Sequence, residues 1–183
     1  MFSLILIRIT DILISIILII IFTPIIIAII FLIIIIERHA VIFISIRVGK
    51  KGKLFKIYKF QTMLNKEITN LGFYLRRMSL DEIPQLFNVL KGDMSIVGPR
   101  PLPEIIENEI ISKDRESRRK IRPGITGLAQ VHYSGKKRTL EEKINLDLYY
   151  INNISYLKYL NILILTFPTL IRRFLYNKTA NTL

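Results

Sequence analysis

The chain has 183 residues, of which 51% are apolar, and it carries a formal net charge of +13. That combination is unusual for a freely soluble domain, and the length suits one domain with at most an appendage. With no cysteine and two histidines, His39 and His132, disulfides, thiolate nucleophiles and histidine-rich metal sites are excluded, so acid–base or nucleophilic chemistry falls to carboxylates, hydroxyls or lysines.

The charges are unevenly placed. Residues 1–36 contain only Arg8 and Asp11, which leaves 27 − 1 = 26 basic and 14 − 1 = 13 acidic residues in 37–183. An apolar head on a basic body reads as a membrane protein lying beside an anionic leaflet. The basic residues are scattered in twos and threes, and no zinc-finger, RRM or basic-zipper spacing occurs, which argues against nucleic acid as the partner.

Residues 12–36, ILISIILIIIFTPIIIAIIFLIIII, are uncharged. As a helix they would extend ~37 Å, enough to cross a hydrocarbon core of ~30 Å. Glu37-Arg38-His39 follows instead of a small-residue cleavage site, so the segment reads as a permanent membrane element rather than a signal peptide. Pro24 lacks a backbone donor and turns its ring toward the carbonyl of Ile20, predicting a kink or break, with the Thr23 hydroxyl in local reach of the freed carbonyl. A kinked spanning helix and a re-entrant helix–break–helix both fit, because one Arg and one Asp give almost no orientation signal.

Residues 41–63 hold two β-prone runs around Gly49-Lys50-Lys51-Gly52 and predict a hairpin whose second run alternates Lys53, Lys56 and Lys59 with aromatic residues. SLDEIPQLFNVL (79–90) predicts a helix of about ten residues. GDMSIVGPRPLP and RPGITGLAQV read as Gly/Pro-rich loops on either side of a charged helical stretch over about 103–120. LEEKINLDLYYINN (140–153) is helical. The tail, SYLKYLNILILTFPTLIRRFLY, is amphipathic and aromatic and reads as an interfacial helix.

Ser79-Leu80-Asp81-Glu82 matches a capping box, with Ser79 as the cap and Glu82 reaching back. Pro84 complicates that reading, since a Ser79 cap puts it at the fifth helical position; a start at Asp81 makes it the third. Either way the two acids are expected at the positive end of a helix, which favours ionised carboxylates and binds phosphate. Arg76 and Arg77 lie upstream and Arg100 downstream, and guanidinium forks suit phosphate oxygens. Two acids, arginines and glycine-rich loops together suit phosphoryl chemistry at a metal ion, and magnesium takes one or two carboxylates with substrate phosphates.

Over residues 41–168 the chain resembles the bacterial sugar transferases, the polyprenyl-phosphate phosphoglycosyl transferases. The matching strings are GKLFKIYKFQTM, RRMSLDEIPQLFNVLKGDMSIVGPRPL, RPGITGLAQV and LDLYYINNISY. The resemblance implies an α+β, predominantly helical fold: a membrane helix over 1–38, and a catalytic domain over 39–183 at the cytoplasmic face of the bacterial inner membrane. The single apolar segment is like that of the small, monotopic members, and Thr23-Pro24 stands where the family has a Ser-Pro break, which favours the re-entrant form.

The resemblance further implies transfer of a sugar 1-phosphate from a UDP-sugar to polyprenyl (undecaprenyl) phosphate with release of UMP, initiating a glycoconjugate. Asp81 would be the nucleophile and a ligand of Mg²⁺, and Glu82 the second acid, assisting proton transfer or positioning. Lys59, Arg76, Arg100 and Asp147 occupy the family's charged positions, assigned to the substrate phosphates, and Gly124, Thr126 and Gln130 would line the nucleotide pocket. Gln61 departs from the family's basic residue, and VHYSGKKRTL after Gln130 departs from its Asn-Gly-Arg type of sequence. Both departures concern substrate preference, and neither names a sugar. Two rivals remain, a non-catalytic membrane assembly partner and a glycosyltransferase releasing UDP; the oligomeric state, a homo-oligomer included, is open.

Overall fold

The computed structural model describes residues 2–132 and 139–176. It is mostly helical with small sheets, as the α+β expectation has it. Helix α1, Phe2–Leu32, runs through Pro24 and continues as a π-helical turn, Ile33–Glu37, ended by Arg38 in the left-handed region (φ 53°). The segment Phe2–Glu37 is long and apolar enough to cross a membrane. The Thr23 hydroxyl does reach back, but to the carbonyl of Ile19 at 2.7 Å rather than to that of Ile20; such back-bonding accompanies helix bending.

The hairpin forms as expected. β1 (Ile42–Val48) and β2 (Leu54–Phe60) pair antiparallel from Ile42 opposite Phe60 to Val48 opposite Leu54. The turn Lys50–Gly52 is 3-10, with Lys51 and Gly52 at positive φ. A two-residue ribbon, β3 (Met63–Leu64) with β4 (Glu67–Ile68), follows, and then α2 (Asn70–Arg77).

The helix expected over 79–90 is split. Ser79 has φ 57° and makes no capping bond, Leu80–Glu82 form a 3-10 turn, and α3 spans Gln85–Lys91 with Pro84 as its N-cap. Neither a Ser79 cap nor a start at Asp81 is realised: a residue in the left-handed region cannot begin an α-helix, and Pro84 is accommodated where no amide donor is needed. α3 is tied to the hairpin by the fully buried Asn88, which accepts from the Tyr58 amide at 3.1 Å and donates to the Lys56 carbonyl at 2.7 Å.

The two glycine-rich segments are not simply loops. β5 (Ser95–Val97) and β6 (Gly124–Thr126) pair in parallel. A Cβ on Gly124 would fall 2.1 Å from the Gly98 amide nitrogen, so the segments can only close with glycine here. The charged stretch between them is two short helices, α4 (Glu104–Glu109) and α5 (Ser112–Arg118). After α6 (Leu128–His132), α7 (Leu140–Asn152) opens on a capping box made by Thr139 and Glu142, and α8 spans Tyr156–Tyr176. Most of the departing segment after Gln130, residues 133–138, lies outside the described residues.

α1 contributes to both core clusters. Ile7 joins Phe55, Val89, Ile96 and Tyr159 in one; Ile29 and Ile33 join Phe60, Leu75, Ile83 and Leu86 in the other. Arg8 donates to the carbonyls of Val89 and Leu90 at the end of α3 (2.7 and 3.0 Å). The buried Asp11 accepts from the Ser95 hydroxyl, the Ile96 amide and the Tyr159 hydroxyl at 3.0, 2.8 and 2.8 Å. Ile7, Asp11, Ser15, Leu18, Phe22, Ile26, Ile29 and Ile33 thus make one stripe at helical spacing against the body. Leu13, Ile17, Ile20, Ile27, Phe31 and Ile35 stay exposed. α8 behaves similarly: Tyr159 and Ile162 are buried while Leu157, Ile164, Phe167 and Ile171 are exposed.

Candidate active site

α2 ends at Arg77, and the positive φ of Ser79 reverses the chain so that the 3-10 turn delivers Asp81 and Glu82 under β2. They line a cavity of about 400 Å³ together with Phe43, Arg47, Lys59, Phe60, Gln61, Thr62, Met63, Arg76 and Arg100. The hairpin register explains one wall. Phe43 pairs with Lys59, and alternation places Arg47 on the same face.

Asp81 is 8% exposed, with its carboxylate 4.0 Å from the Lys59 ammonium. The Glu82 carboxylate accepts from Lys59 at 2.6 Å and from Arg100 at 3.1 Å. Burial alone would raise the Glu82 carboxyl, but Arg100 and then Lys59 outweigh it and hold it down at about 2. Glu82 is therefore ionised throughout the neutral range. Arg76 donates through Nε to the Thr62 hydroxyl at 2.7 Å. Burial, and then the neighbouring Arg100, lowers Arg47 from the ordinary guanidinium value. Four cationic side chains face two carboxylates in this wall, an excess that an anionic ligand would neutralise.

Of the residues expected from sequence, Lys59, Arg76, Asp81, Glu82 and Arg100 are brought together. Asp147 is not. It is buried on α7, paired with Arg118, whose other nitrogen donates to the Arg100 carbonyl at 2.9 Å. Arg118 and Arg119 also face Glu107 at 3.8 and 3.4 Å. Asp147 can therefore touch a phosphate only by abandoning its arginine, and its effect on the pocket runs through the backbone of Arg100. Burial raises its carboxyl to about 6, against the pull of Arg118.

Gly124, Thr126 and Gln130 also stand apart from the cavity wall. Gly124 and Thr126 are strand β6, with the Thr126 carbonyl accepting from the Gly98 amide at 2.8 Å and its hydroxyl meeting Thr166 at 2.9 Å. The Gln130 side chain lies over Gly127. Gly124, whose amide donates to the Pro99 carbonyl, and Thr126 visibly fix the loop that carries Arg100. Among the described residues no group of three or more His, Asp and Glu could hold a metal by itself. Arg47 and Phe43 escaped the sequence reading, although counting two residues at a time back from the hairpin turn would have put both on the face that carries Lys59.

The family model described as bacterial sugar transferase matches residues 2–173. An uncharacterized sugar transferase of Bacillus subtilis is 40% identical over 140 residues, covering 69% of this chain and 67% of its own length. The UDP-glucose:undecaprenyl-phosphate glucose-1-phosphate transferase of Klebsiella pneumoniae is 36% identical over 180 residues, covering 87% of this chain and 38% of the relative. The UDP-N-acetylgalactosamine-undecaprenyl-phosphate N-acetylgalactosaminephosphotransferase of Aeromonas hydrophila is 40% identical over 136 residues, 63% of this chain and 31% of the relative. The chain thus spans about two thirds of the Bacillus protein and about a third of the two longer relatives. Pocket, motifs and matched length agree, and the chain belongs to the bacterial sugar transferase family.

Proposed function

We propose that the chain transfers a sugar 1-phosphate from a UDP-sugar to undecaprenyl phosphate and releases UMP. The observation that carries this reading is the cavity in which Asp81 sits beside Lys59, Arg76 and Arg100. The activities named for the Klebsiella and Aeromonas relatives point the same way; because they involve different sugars, they leave the sugar of this chain open.

In the first half-reaction an Asp81 carboxylate oxygen attacks the phosphorus that bears the sugar. The bond from that phosphorus to the bridging oxygen breaks, and UMP departs with the electron pair. In the second, an oxygen of undecaprenyl phosphate attacks the same phosphorus, the bond to Asp81 breaks, and the carboxylate is regenerated. One phosphoanhydride replaces another, and splitting the exchange lets two unlike substrates use one site in turn. Arg76 and Arg100 supply guanidinium forks for phosphate oxygens. Glu82, ionised and held by Lys59 and Arg100, is placed to position those two cations; with its carboxyl at about 2 it carries no proton to donate near neutrality.

Mg²⁺ fits this donor set, since Asp81 is one carboxylate at the cavity wall and the substrate phosphates complete such sites. When bound there, the ion would offset diphosphate charge.

The re-entrant reading of α1 belongs to the same proposal. Its support is that Arg8 and Asp11 near one end, and Ile29 and Ile33 near the other, meet the same body. A straight helix would separate Arg8 from Ile29 by ~32 Å, whereas both reach toward α3, which is ~10 Å long. The body then sits on the cytoplasmic side.

The test is incubation of the purified chain with Mg²⁺, undecaprenyl phosphate and a panel of UDP-sugars. UMP is expected; UDP as the leaving nucleotide would sink the reading. For topology, Phe2→Cys and Lys120→Cys should both be protected from an external thiol reagent in intact cells, and labelling of Phe2→Cys alone would establish a spanning helix.

A further inference from the structure

Lys59 and Arg100 both spend charge on Glu82, at 2.6 and 3.1 Å. Arg76 is held differently. Among the described residues it is paired with no carboxylate, and its one hydrogen bond runs from Nε to the Thr62 hydroxyl at 2.7 Å. Thr62 is 5% exposed, lies between β2 and β3, and lines the cavity with Arg76.

Thr62 is also locked to α2 through the backbone. Its carbonyl accepts from the Thr69 amide at 3.2 Å, and the Thr69 hydroxyl caps the helix by accepting from the Gly72 amide at 3.0 Å. At Gly72 the helix comes so close that a Cβ there would lie 2.3 Å from the Thr62 carbonyl oxygen. The Leu71 amide is anchored separately, by the Glu37 carboxylate at 3.2 Å. Loss of the Thr62 hydroxyl alone therefore leaves α2 in place and frees only Arg76.

An arginine can offer a phosphate either its Nε–Nη edge or its Nη1–Nη2 edge. A hydroxyl on Nε closes the first edge and leaves the second open. Being neutral, it orients the guanidinium without cancelling the charge. A carboxylate in the same place would hold the arginine as firmly and leave less attraction for an anion.

We propose that Thr62 is a positioning residue, which holds Arg76 so that its Nη1–Nη2 edge grips a substrate phosphate in the pocket of Asp81. This rests on the transferase reading above. The phosphate is that of the nucleotide sugar or that of polyprenyl phosphate, and the two half-reactions tell them apart.

Thr62→Val keeps the shape and the carbonyl but removes the hydroxyl, and Thr62→Ser retains it. The full chain in detergent is given the UDP-sugar that the panel selects, without acceptor, and single-turnover UMP release is timed; kcat/KM for undecaprenyl phosphate is then measured. Thr62→Val should lower by about tenfold the same half-reaction that Arg76→Met lowers, while Thr62→Ser stays within about threefold of wild type. Slower UMP release gives the phosphate to the nucleotide sugar, and a loss confined to the acceptor step gives it to the polyprenyl phosphate. In the Arg76→Met background, Thr62→Val should add less than about twofold, since the hydroxyl then has nothing to hold. A loss that persists undiminished in that background would overturn the proposal. So would wild-type rates in Thr62→Val, or a Thr62→Ser chain as impaired as Thr62→Val. Titration of the same chains with inorganic pyrophosphate reads the grip without turnover: Thr62→Val should bind about tenfold more weakly, with rescue by Thr62→Ser. Equal affinity in Thr62→Val and wild type would overturn the positioning role. A wild-type chain that releases no UMP would sink the transferase reading instead, and the pyrophosphate affinities would still decide what Thr62 does.

Discussion

Two carboxylate–cation clusters meet at Arg100, and they differ in what surrounds them. Around Asp147 the charges balance, Glu107 and Asp147 against Arg118 and Arg119, and the side chains of Asp147 and Arg118 are about 5% exposed or less. Around Asp81 the cavity wall carries two carboxylates against Arg47, Lys59, Arg76 and Arg100, with the Arg100 side chain 53% exposed. The first cluster is balanced in charge and largely buried. The second has charge left over and space beside it. Residue type alone would rank them equal; the unmatched charge and the opening distinguish the one suited to an anionic ligand.

The comparison breaks most sharply at Asp81. Asp81→Asn keeps the side chain's shape and removes the nucleophile, so turnover should fall by on the order of 10³ or more, with loss of protein labelling from a UDP-sugar radiolabelled in its β-phosphate and no change in thermal unfolding. Retained label would remove Asp81 from this role. The sealed cluster should respond the other way. Arg118→Met leaves Asp147 and Glu107 buried without their shared cation, and should lower unfolding free energy by about 3–5 kcal/mol, read by denaturant melting in detergent, with activity lost only as Arg100 loosens.

Glu82→Gln should cost roughly a hundredfold in kcat/KM, through Lys59 and Arg100 losing their anchor. Because the Glu82 carboxyl lies at about 2, the pH–rate profile above pH 4 should keep its shape in the variant; a vanished acid limb would make Glu82 a proton carrier after all.

The smallest effect concerns Asp147, whose folded value of about 6 exceeds its ordinary 3.8. The native state then holds the extra proton between those values, so the contribution of this group to stability is full below about pH 4 and is lost as pH rises through 6. Asp147→Asn should flatten that part of the stability profile, and an unchanged slope would show Asp147 ionised throughout.

How far the sequence could be read follows from the range of each interaction. The β1–β2 hairpin was legible because its turn, its β-prone runs and its pairing all lie within 20 residues. Asp81 and Glu82 were legible as a pair, since Pro84 kept them out of a helix interior. Their 3-10 geometry was not, because it depends on the positive φ that Ser79 adopts at the end of α2. β5 and β6 are three residues each and pair across the whole of α4 and α5, so no local pattern announces them. The resemblance assigns Asp147 to the substrate phosphates, and nothing in its spacing discloses its pairing with Arg118, 29 residues earlier. The buried stripe of α1 is marked in the sequence only at one end, by Asp11 and Ser15 four residues apart; beyond them apolar residues fill both faces, and composition cannot tell the packed face from the exposed one.

Asp11 gives that helix a property its isoleucines could not. A uniformly apolar rod can rotate, or slip by a turn, within hydrocarbon at little energetic cost. Asp11 accepts three bonds, from Ser95, Ile96 and Tyr159, that exist at one rotation and one height. Slippage would strand the carboxylate among alkyl chains. Asp11, together with Arg8 on the Val89 and Leu90 carbonyls, thereby fixes one register between helix and body, so a bilayer of different thickness around α1 would have to be met by deformation of the lipid rather than by sliding of the helix against the body.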